Sequence, residues 1–456
     1  MRQELDKEIW RLSVPAFLAL VAEPLFLLSD AAIVGHLGTP ELAGLGIAAV
    51  VLQTVVGLCV FLAYGTTASV ARHLGAGNRR AALAQGVDGV WLAVGIGLVA
   101  TLAGVALTGP LVGLFGAGEV VTDHAATYLR LAFLGVVPLL VMLATTGVLR
   151  GLQDTRTPLV VAVAGNALNI VLNLVLVYGI GGWTGLGIAG SAIGSVLAQI
   201  ASAAALLAVV TRAARAEGAP LGPDLSGIRA AARAAVALVI RTLTLRVALL
   251  VTTYAVTIGA GSAAGPSDPT ADPAVDLATH QLALTLWTFL AFVLDAIAIA
   301  AQAITGRYLG AGDVEGTRAV TRRMVQWGVV SGIVTGVLLA VASPVLGRLF
   351  TDDPEVQRLL VPVLLVAALA QPVAGVVFVL DGVLIGAGDG TYLAWGGIVT
   401  LVAYVPLVLV AAHLVGGLVI VWAVFCTAFM GARLVVLALR ARGGAWLVTG
   451  APTVSP

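Results

Sequence analysis

The sequence predicts an all-α integral membrane protein of twelve transmembrane helices, arranged as two parallel six-helix repeats. Three observations predict it. The 456-residue chain is 60% hydrophobic and only 10% charged, whereas soluble domains carry about 25% charged residues. Its apolar runs are long enough to cross a bilayer, which takes roughly 20 residues per helix. Two glycine-containing motifs recur in the second half at one fixed spacing.

Candidate spans lie near 12–36, 42–71, 84–108, 124–148, 158–179, 186–211, 241–261, 277–305, 319–345, 357–385, 392–412 and 416–439. Irregular backbone cannot face lipid, so each reads as a helix. The opening MRQELDKEIWRL is too acidic and too short for a signal peptide, and no cleavage site follows, so the first run is expected to stay as a helix. With a cytoplasmic N-terminus, all of the 24 Lys and Arg except Arg130, Arg348 and Arg358 fall on the inner side. They run from Arg2, Lys7 and Arg11 through Arg72, Arg79 and Arg80 to Arg433, Arg440 and Arg442. That is the positive-inside distribution. The opposite loops are acidic, with Glu119 and Asp123, then Asp268, Asp272 and Asp276, then Asp352, Asp353 and Glu355. An even number of spans places both termini in the cytoplasm. A net charge of +1 gives no basis for nucleic-acid binding. Cys59 and Cys426 both lie in apolar runs, which argues against a disulfide framework and against a zinc site.

The repeat is read from two pairs of segments. ARHLGAGNRR (Ala71–Arg80) matches GRYLGAGDVE (Gly306–Glu315), and GVLRGLQD (Gly147–Asp154) matches GVLIGAGD (Gly382–Asp389), both at an offset of 235. The expected organisation is an N-terminal lobe over 1–211, a cytoplasmic Arg/Ala-rich loop over 212–240, a C-terminal lobe over 241–442 and a tail over 443–456. Six spans is an even offset, so the halves have the same topology and are related by an axis along the membrane normal. Parallel halves place a cavity on that axis, an architecture suited to alternating access.

The same residues resemble a known family. SDAAIVGHLG, ARHLGAGN, GVLRGLQDTRTP and ALNIVLNLVLVYG in the first half, with FVLDAIAIAAQAITGRYLGAGD and FVLDGVLIGAGD in the second, look like the multidrug and toxic compound extrusion (MATE) transporters. The Glu-Pro upstream of the first-span aspartate points to the DinF-like branch. The resemblance covers essentially the whole chain. It implies two six-helix lobes around a V-shaped central cavity, and export of organic solutes against inward flow of H⁺ or Na⁺.

Carboxylates inside the spans are the candidate coupling groups, because a charge at the bilayer centre costs about 2.5–3.5 kcal/mol on insertion scales and is kept where it works. Glu23 and Asp30 stand seven residues apart, on nearly the same face of the first helix. A carboxyl group that alternates between apolar and wet surroundings takes up a proton in one and releases it in the other. Partners for Asp30 are expected among uncharged hydrogen-bonding side chains. The fifth span offers Asn166, Asn169 and Asn173, the last two sharing a face at i and i+4. The resemblance implies an ion site of a helix-one acid, a helix-five Asn with an acid four residues on, and a helix-six hydroxyl. Asp30, Asn169 and Ser195 match that pattern, with Ser in place of Thr. Asn173 departs from it, an amide where the archaeal members have a carboxylate, which favours H⁺ over a tight Na⁺ site. The second half supplies its own polar set: His280, Gln281, Asp295, Gln302, Gln371 and Asp381. His280 is expected near the outer end of its span, and Asp381 near the cytoplasmic end with part of it solvated.

The glycines of RHLGAGNRR and GRYLGAGD look suited to phosphate, but no GKS/T follows, so both read as tight cytoplasmic turns. The arginines of 212–241 read as topology determinants, with lipid headgroups as possible contacts. No HExxH or GxSxG set supports an enzyme. The expected function is a cation-coupled antiporter, H⁺ rather than Na⁺, that exports amphipathic or cationic organic molecules. It is expected to be a monomer in the cell membrane with no cofactor beyond the coupling ion. A Na⁺-coupled exporter and a lipid-linked precursor flippase of the same superfamily remain the alternatives.

Overall fold

The computed structural model describes residues 2–263 and 273–451. Asp268 and Asp272, expected in an acidic outer loop, and the last five residues of the tail lie outside the described residues. Among the described residues the regular structure is helical throughout. The first half contains α1 (Arg2–Gly35), α2 (Thr39–Cys59), α3 (Phe61–Gly75), α4 (Arg79–Gly113), α5 (Glu119–Phe133), α6 (Val136–Gly151), α7 (Arg156–Tyr178) and α8 (Ile188–Ala216). The second half contains α9 (Leu225–Ala263), α10 (Pro273–Gly310), α11 (Val314–Phe350), α12 (Pro354–Gly386), α13 (Gly390–Leu414), α14 (Leu418–Val424) and α15 (Met430–Arg442). A single π-helical segment, Phe425–Phe429, joins α14 to α15. Eleven stretches are long and apolar enough to span a membrane, and α5 with α6, bent by 49°, makes the twelfth. The chain is a multi-pass membrane protein.

Three spans depart from the uniform helices expected. The second breaks at Val60 between α2 and α3. The fourth bends at Leu134 and Gly135. The twelfth carries the wide π turn, a feature that often accompanies functional sites. The joining loop expected over 212–240 is also much shorter. α8 continues to Ala216 and α9 starts at Leu225, leaving only 217–224 outside helix. Alanine and arginine are strong helix formers, so a segment rich in both extends the neighbouring helices. Asp224 starts α9: one carboxylate oxygen accepts from Ser226 N at 3.1 Å.

Two compact units emerge. One holds 11–235 together with 306–312 and the end of the tail, and the other holds 1–10, 236–305 and 313–449. In the first, Val70, Leu83, Val148, Leu149, Leu206 and Val210 form a core joining α3, α4, α6 and α8. Lipid tails are as apolar as leucine, so close backbone approach between small residues carries much of the packing inside a membrane. The repeat shows in that packing. A Cβ on Gly147 would run into the carbonyl oxygen of Ala63, and one on Gly151 into Thr67 O. In the other unit a Cβ on Gly382 would strike Ala298 O, and one on Gly386 would strike Gln302 O. Each glycine and each opposing carbonyl keeps the offset of 235. The α3–α6 crossing is thus reproduced by α10 and α12.

The glycine-rich motifs are turns followed by helix caps. Gly77 and Gly312 take left-handed φ of 74° and 76°, a conformation that glycine adopts without a Cβ penalty. The next residue then caps the following helix. Asn78 Oδ1 accepts from Ala81 N at 2.9 Å, and Asp313 Oδ1 accepts from Gly316 N at 2.7 Å.

Candidate functional site

Asp30 lies near the C-terminal end of α1 and is 2% exposed. Three neutral donors from three other helices meet its carboxylate. Asn173 Nδ2 on α7 donates to Oδ1 at 2.8 Å, and Ser191 Oγ on α8 donates to the same oxygen. The Tyr128 hydroxyl on α5 donates to Oδ2 at 2.9 Å. Behind them Asn169 Nδ2 donates to Ser195 Oγ at 3.0 Å, and Asn173 Nδ2 lies 3.4 Å from Asn169 Oδ1. Asn169, Asn173 and Ser191 are fully buried and Ser195 is 4% exposed. Local structure holds the frame. Asn166 Nδ2 donates to Ala22 O at 2.7 Å, and the Tyr178 hydroxyl to Ile33 O at 2.6 Å, so α7 is tied to α1 on both sides of Asp30. Gly194 leaves the space that the Asn173 amide occupies, since a Cβ there would fall on its Oδ1.

The chemistry of this shell is specific. An ionised carboxylate is acceptor-only, and it is met here by donors alone. When the carboxyl group gains a proton it becomes a donor itself, and at least one neighbour must accept. Tyr128 and Ser191 are hydroxyls, which turn and serve in either role. Among the described residues no Lys, Arg or His is bonded to Asp30, so its charge has no fixed partner there.

The structure brings Asp30, Asn169, Asn173 and Ser195 together, the first, second and last as the resemblance implied and the two asparagines on one face as their spacing indicated. It does not add Glu23 to them. Glu23 is exposed and makes no hydrogen bond or ion pair with any described residue. A shared helix face is not a shared site, because seven residues also place the two acids about 10 Å apart along the axis. Tyr128 and Ser191 were not anticipated. Ser191 had a signal, since it stands four residues before Ser195 and so on the same face of α8. Tyr128 had none, because nothing local links it to a residue 98 positions away.

The polar residues of the second half divide between separate settings. His280 is 1% exposed, not interfacial as its position in the span suggested. Trp422 Nε1 donates to its Nδ1 at 3.2 Å, and its Nε2 lies 3.0 Å from Thr253 Oγ1. The Trp422 ring meets it edge-on and continues into a cluster in which Trp287, Phe425 and Tyr404 are also in edge contact. Asp381 is 5% exposed, so it is not partly solvated as its place near a helix end indicated. It is ion-paired with Arg241, and Arg433 Nη2 stands 3.6 Å from its other oxygen. Asp381 and His280 share no partner among the described residues. Gln302 and Gln371 are buried, Asp295 is half-buried and Gln281 is exposed. The Thr335 hydroxyl lies 3.5 Å from Gln371 Oε1.

Comparison with known proteins agrees with the fold. The MatE family model matches residues 15–175 and 270–412. The chain belongs to the MatE family. MatE proteins are multidrug and toxin efflux transporters, and this chain is similar along its length to named members. It is 30% identical over 460 residues to Protein DETOXIFICATION 44, chloroplastic, of Arabidopsis thaliana, covering 97% of this chain and 84% of that protein. It is 28% identical over 388 residues to DNA damage-inducible protein F of Escherichia coli K12, covering 85% and 82%. Among solved structures, the Vibrio cholerae MATE transporter VcmN in the bent form superimposes with a TM-score of 0.84 at 20% identity, covering 96% of this chain and 97% of that one. For a MatE chain, the neutral shell of Asp30 and the cation-flanked Asp381 are two buried acids that need separate explanations.

Proposed function

We propose that this MatE protein is a proton-coupled antiporter that exports amphipathic or cationic organic molecules from the cell, with both termini in the cytoplasm, acting as a monomer. Asp30 is the coupling group, and Tyr128, Asn173 and Ser191 hold it in either protonation state, with Asn169 and Ser195 as their support. The observation that carries this reading is the all-neutral, hydroxyl-containing shell around a buried carboxylate. Sodium is a hard cation and needs several oxygens with net negative charge to offset its own. Here one carboxylate supplies that charge, and Asn173 Oδ1 is turned toward Asn169 and Gly194. The arginine-rich helix ends fix the orientation by the positive-inside rule. Each proton moving down a membrane potential releases about 2.3 kcal/mol per 100 mV, enough for one proton per cycle to drive accumulation. The test is export of a fluorescent organic cation from proteoliposomes at clamped potential, with a pH or a sodium gradient imposed separately. The expected result is export that follows the pH gradient alone. Export that follows sodium and ignores pH overturns the proton assignment while leaving the exporter reading in place.

A further inference from the structure

A cavity in the second unit lies between α9, α12, α13 and α15, at the arginine-rich end of those helices. Its only charged lining residues are Arg241, Asp381 and Arg433. One carboxylate therefore faces two guanidinium groups, and guanidinium stays charged in proteins. Asp381 is engaged by Arg241 through Oδ2, and its remaining oxygen lies 3.6 Å from Arg433 Nη2, beyond hydrogen-bond reach. The Arg433 side chain is 12% exposed. Its one other neighbour of note is the Phe429 ring, 5.9 Å from the guanidinium carbon. A planar fork of five N–H donors, paired with Asp381 only through the long 3.6 Å contact, thus reaches a membrane-embedded cavity with no hydrogen bond from a described residue, which leaves its donors open to a hydrogen-bonding anion.

A second, independent observation comes from Thr400 on α13. It lines the same cavity, is 1% exposed, and makes no hydrogen bond with any described residue. Most buried threonines in these helices return their hydroxyl to a carbonyl four residues back, as Thr252 does to Ala248 at 2.7 Å. Thr244 on the opposite wall is already committed, donating to Arg241 O at 2.7 Å. Thr400 is therefore a spare hydroxyl donor beside a guanidinium that is ion-paired with Asp381 but not hydrogen-bonded to it. Gly396 and Gly397 line the same cavity, packed against Val436 and Thr244.

We propose that this cavity binds a small oxyanion of the phosphate class. The guanidinium of Arg433 and the hydroxyl of Thr400 donate to it, and the Arg241–Asp381 pair forms a fixed wall. Phosphate suits the donor set, because a guanidinium donates two parallel N–H bonds to adjacent oxygens and leaves a third oxygen for the hydroxyl. The phosphate can be free inorganic anion or the headgroup of a lipid. The site is independent of the Asp30 cluster and of the proton-coupling proposal.

The experiment uses the full-length protein, delipidated in an uncharged maltoside detergent at constant ionic strength. Inorganic phosphate is titrated by calorimetry in one arm. In the other, thermal stability is measured with added phosphatidylglycerol against diacylglycerol of the same chains. Wild type is expected to bind phosphate with measurable heat, or to be stabilised by the phospholipid and not by the diacylglycerol. The first result identifies a free-anion site and the second a headgroup site. Thr400→Val is expected to weaken the response about tenfold, the loss of one hydrogen bond to a charged group. Arg433→Gln is expected to abolish it while leaving the balanced Arg241–Asp381 pair and the helical circular dichroism unchanged. No response of wild type in either arm overturns the proposal, and so does an Arg433→Gln protein that responds as wild type does.

Discussion

Asp30 and Asp381 are both aspartates buried in a bundle of membrane helices, 2% and 5% exposed. Their surroundings are opposite. Asp30 is met by a phenol, an alcohol and an amide, two of which reverse their hydrogen bonds freely. Asp381 is flanked by two arginines, which do not give up their charge. The difference separates a carboxylate that can change state from one that holds its neighbours in place. Burial alone does not mark a coupling residue, and the partner set decides which role a buried acid can fill.

Five substitutions break or sharpen that contrast. The largest effect is expected from Asp30→Asn. An amide fills the same volume and keeps partners in the shell but cannot cycle a proton. Gradient-driven export in proteoliposomes should fall to background at wild-type expression and folding, and retention of export would remove Asp30 from the coupling role. Asp381→Asn should act in the other currency, on stability. It leaves two buried guanidinium groups without a carboxylate, a loss of about 3–5 kcal/mol for breaking a buried pair. The readout is thermal unfolding in detergent, and a variant that stayed as stable as wild type while losing transport would reverse the assignments. Asn173→Asp puts a second acid against Asp30, where like charges call for a cation between them. Sodium should then raise the melting temperature of the variant and not of wild type. Ser191→Ala removes one reversible hydroxyl, and export should fall roughly tenfold for about 1–1.5 kcal/mol of lost hydrogen bonding. Glu23→Gln should have the smallest effect, within about twofold in initial export rate, because Glu23 makes no hydrogen bond or ion pair with any described residue and the amide keeps its volume. A larger loss than that of Asp30→Asn would move the coupling role to Glu23.

Much of this was legible in one sequence. Apolar length revealed the spans, and the fixed 235 offset revealed the repeat down to the glycines that permit the crossings. The i, i+4 pair Asn169 and Asn173 was legible because helical periodicity is local. What periodicity cannot supply is the partner on another helix. Tyr128 reaches Asp30 from α5, and Arg241 and Arg433 reach Asp381 from α9 and α15. The exposure of Glu23 was equally hidden, since rotation about a helix says nothing of what stands opposite each level. The extension of α8 and α9 into the joining segment follows from the helix propensity of its arginines and alanines, which their charge pattern does not express.

Two halves built on one frame give the molecule an internal reference, in which the first half can be read against the second. Gly147 and Gly382, Gly151 and Gly386, and Asn78 and Asp313 show where the halves are alike because the fold demands it. Counting 235 onward from Asn169 and Asn173 arrives at Tyr404 and Val408, both fully buried. There a ring and an aliphatic side chain stand in place of the amides, and Tyr404 packs against Phe425 and Phe429. The frame is common to both halves, while the amide-bearing face is present in one. On the proton coupling proposed above, the molecule is a twin frame driven by a single engine.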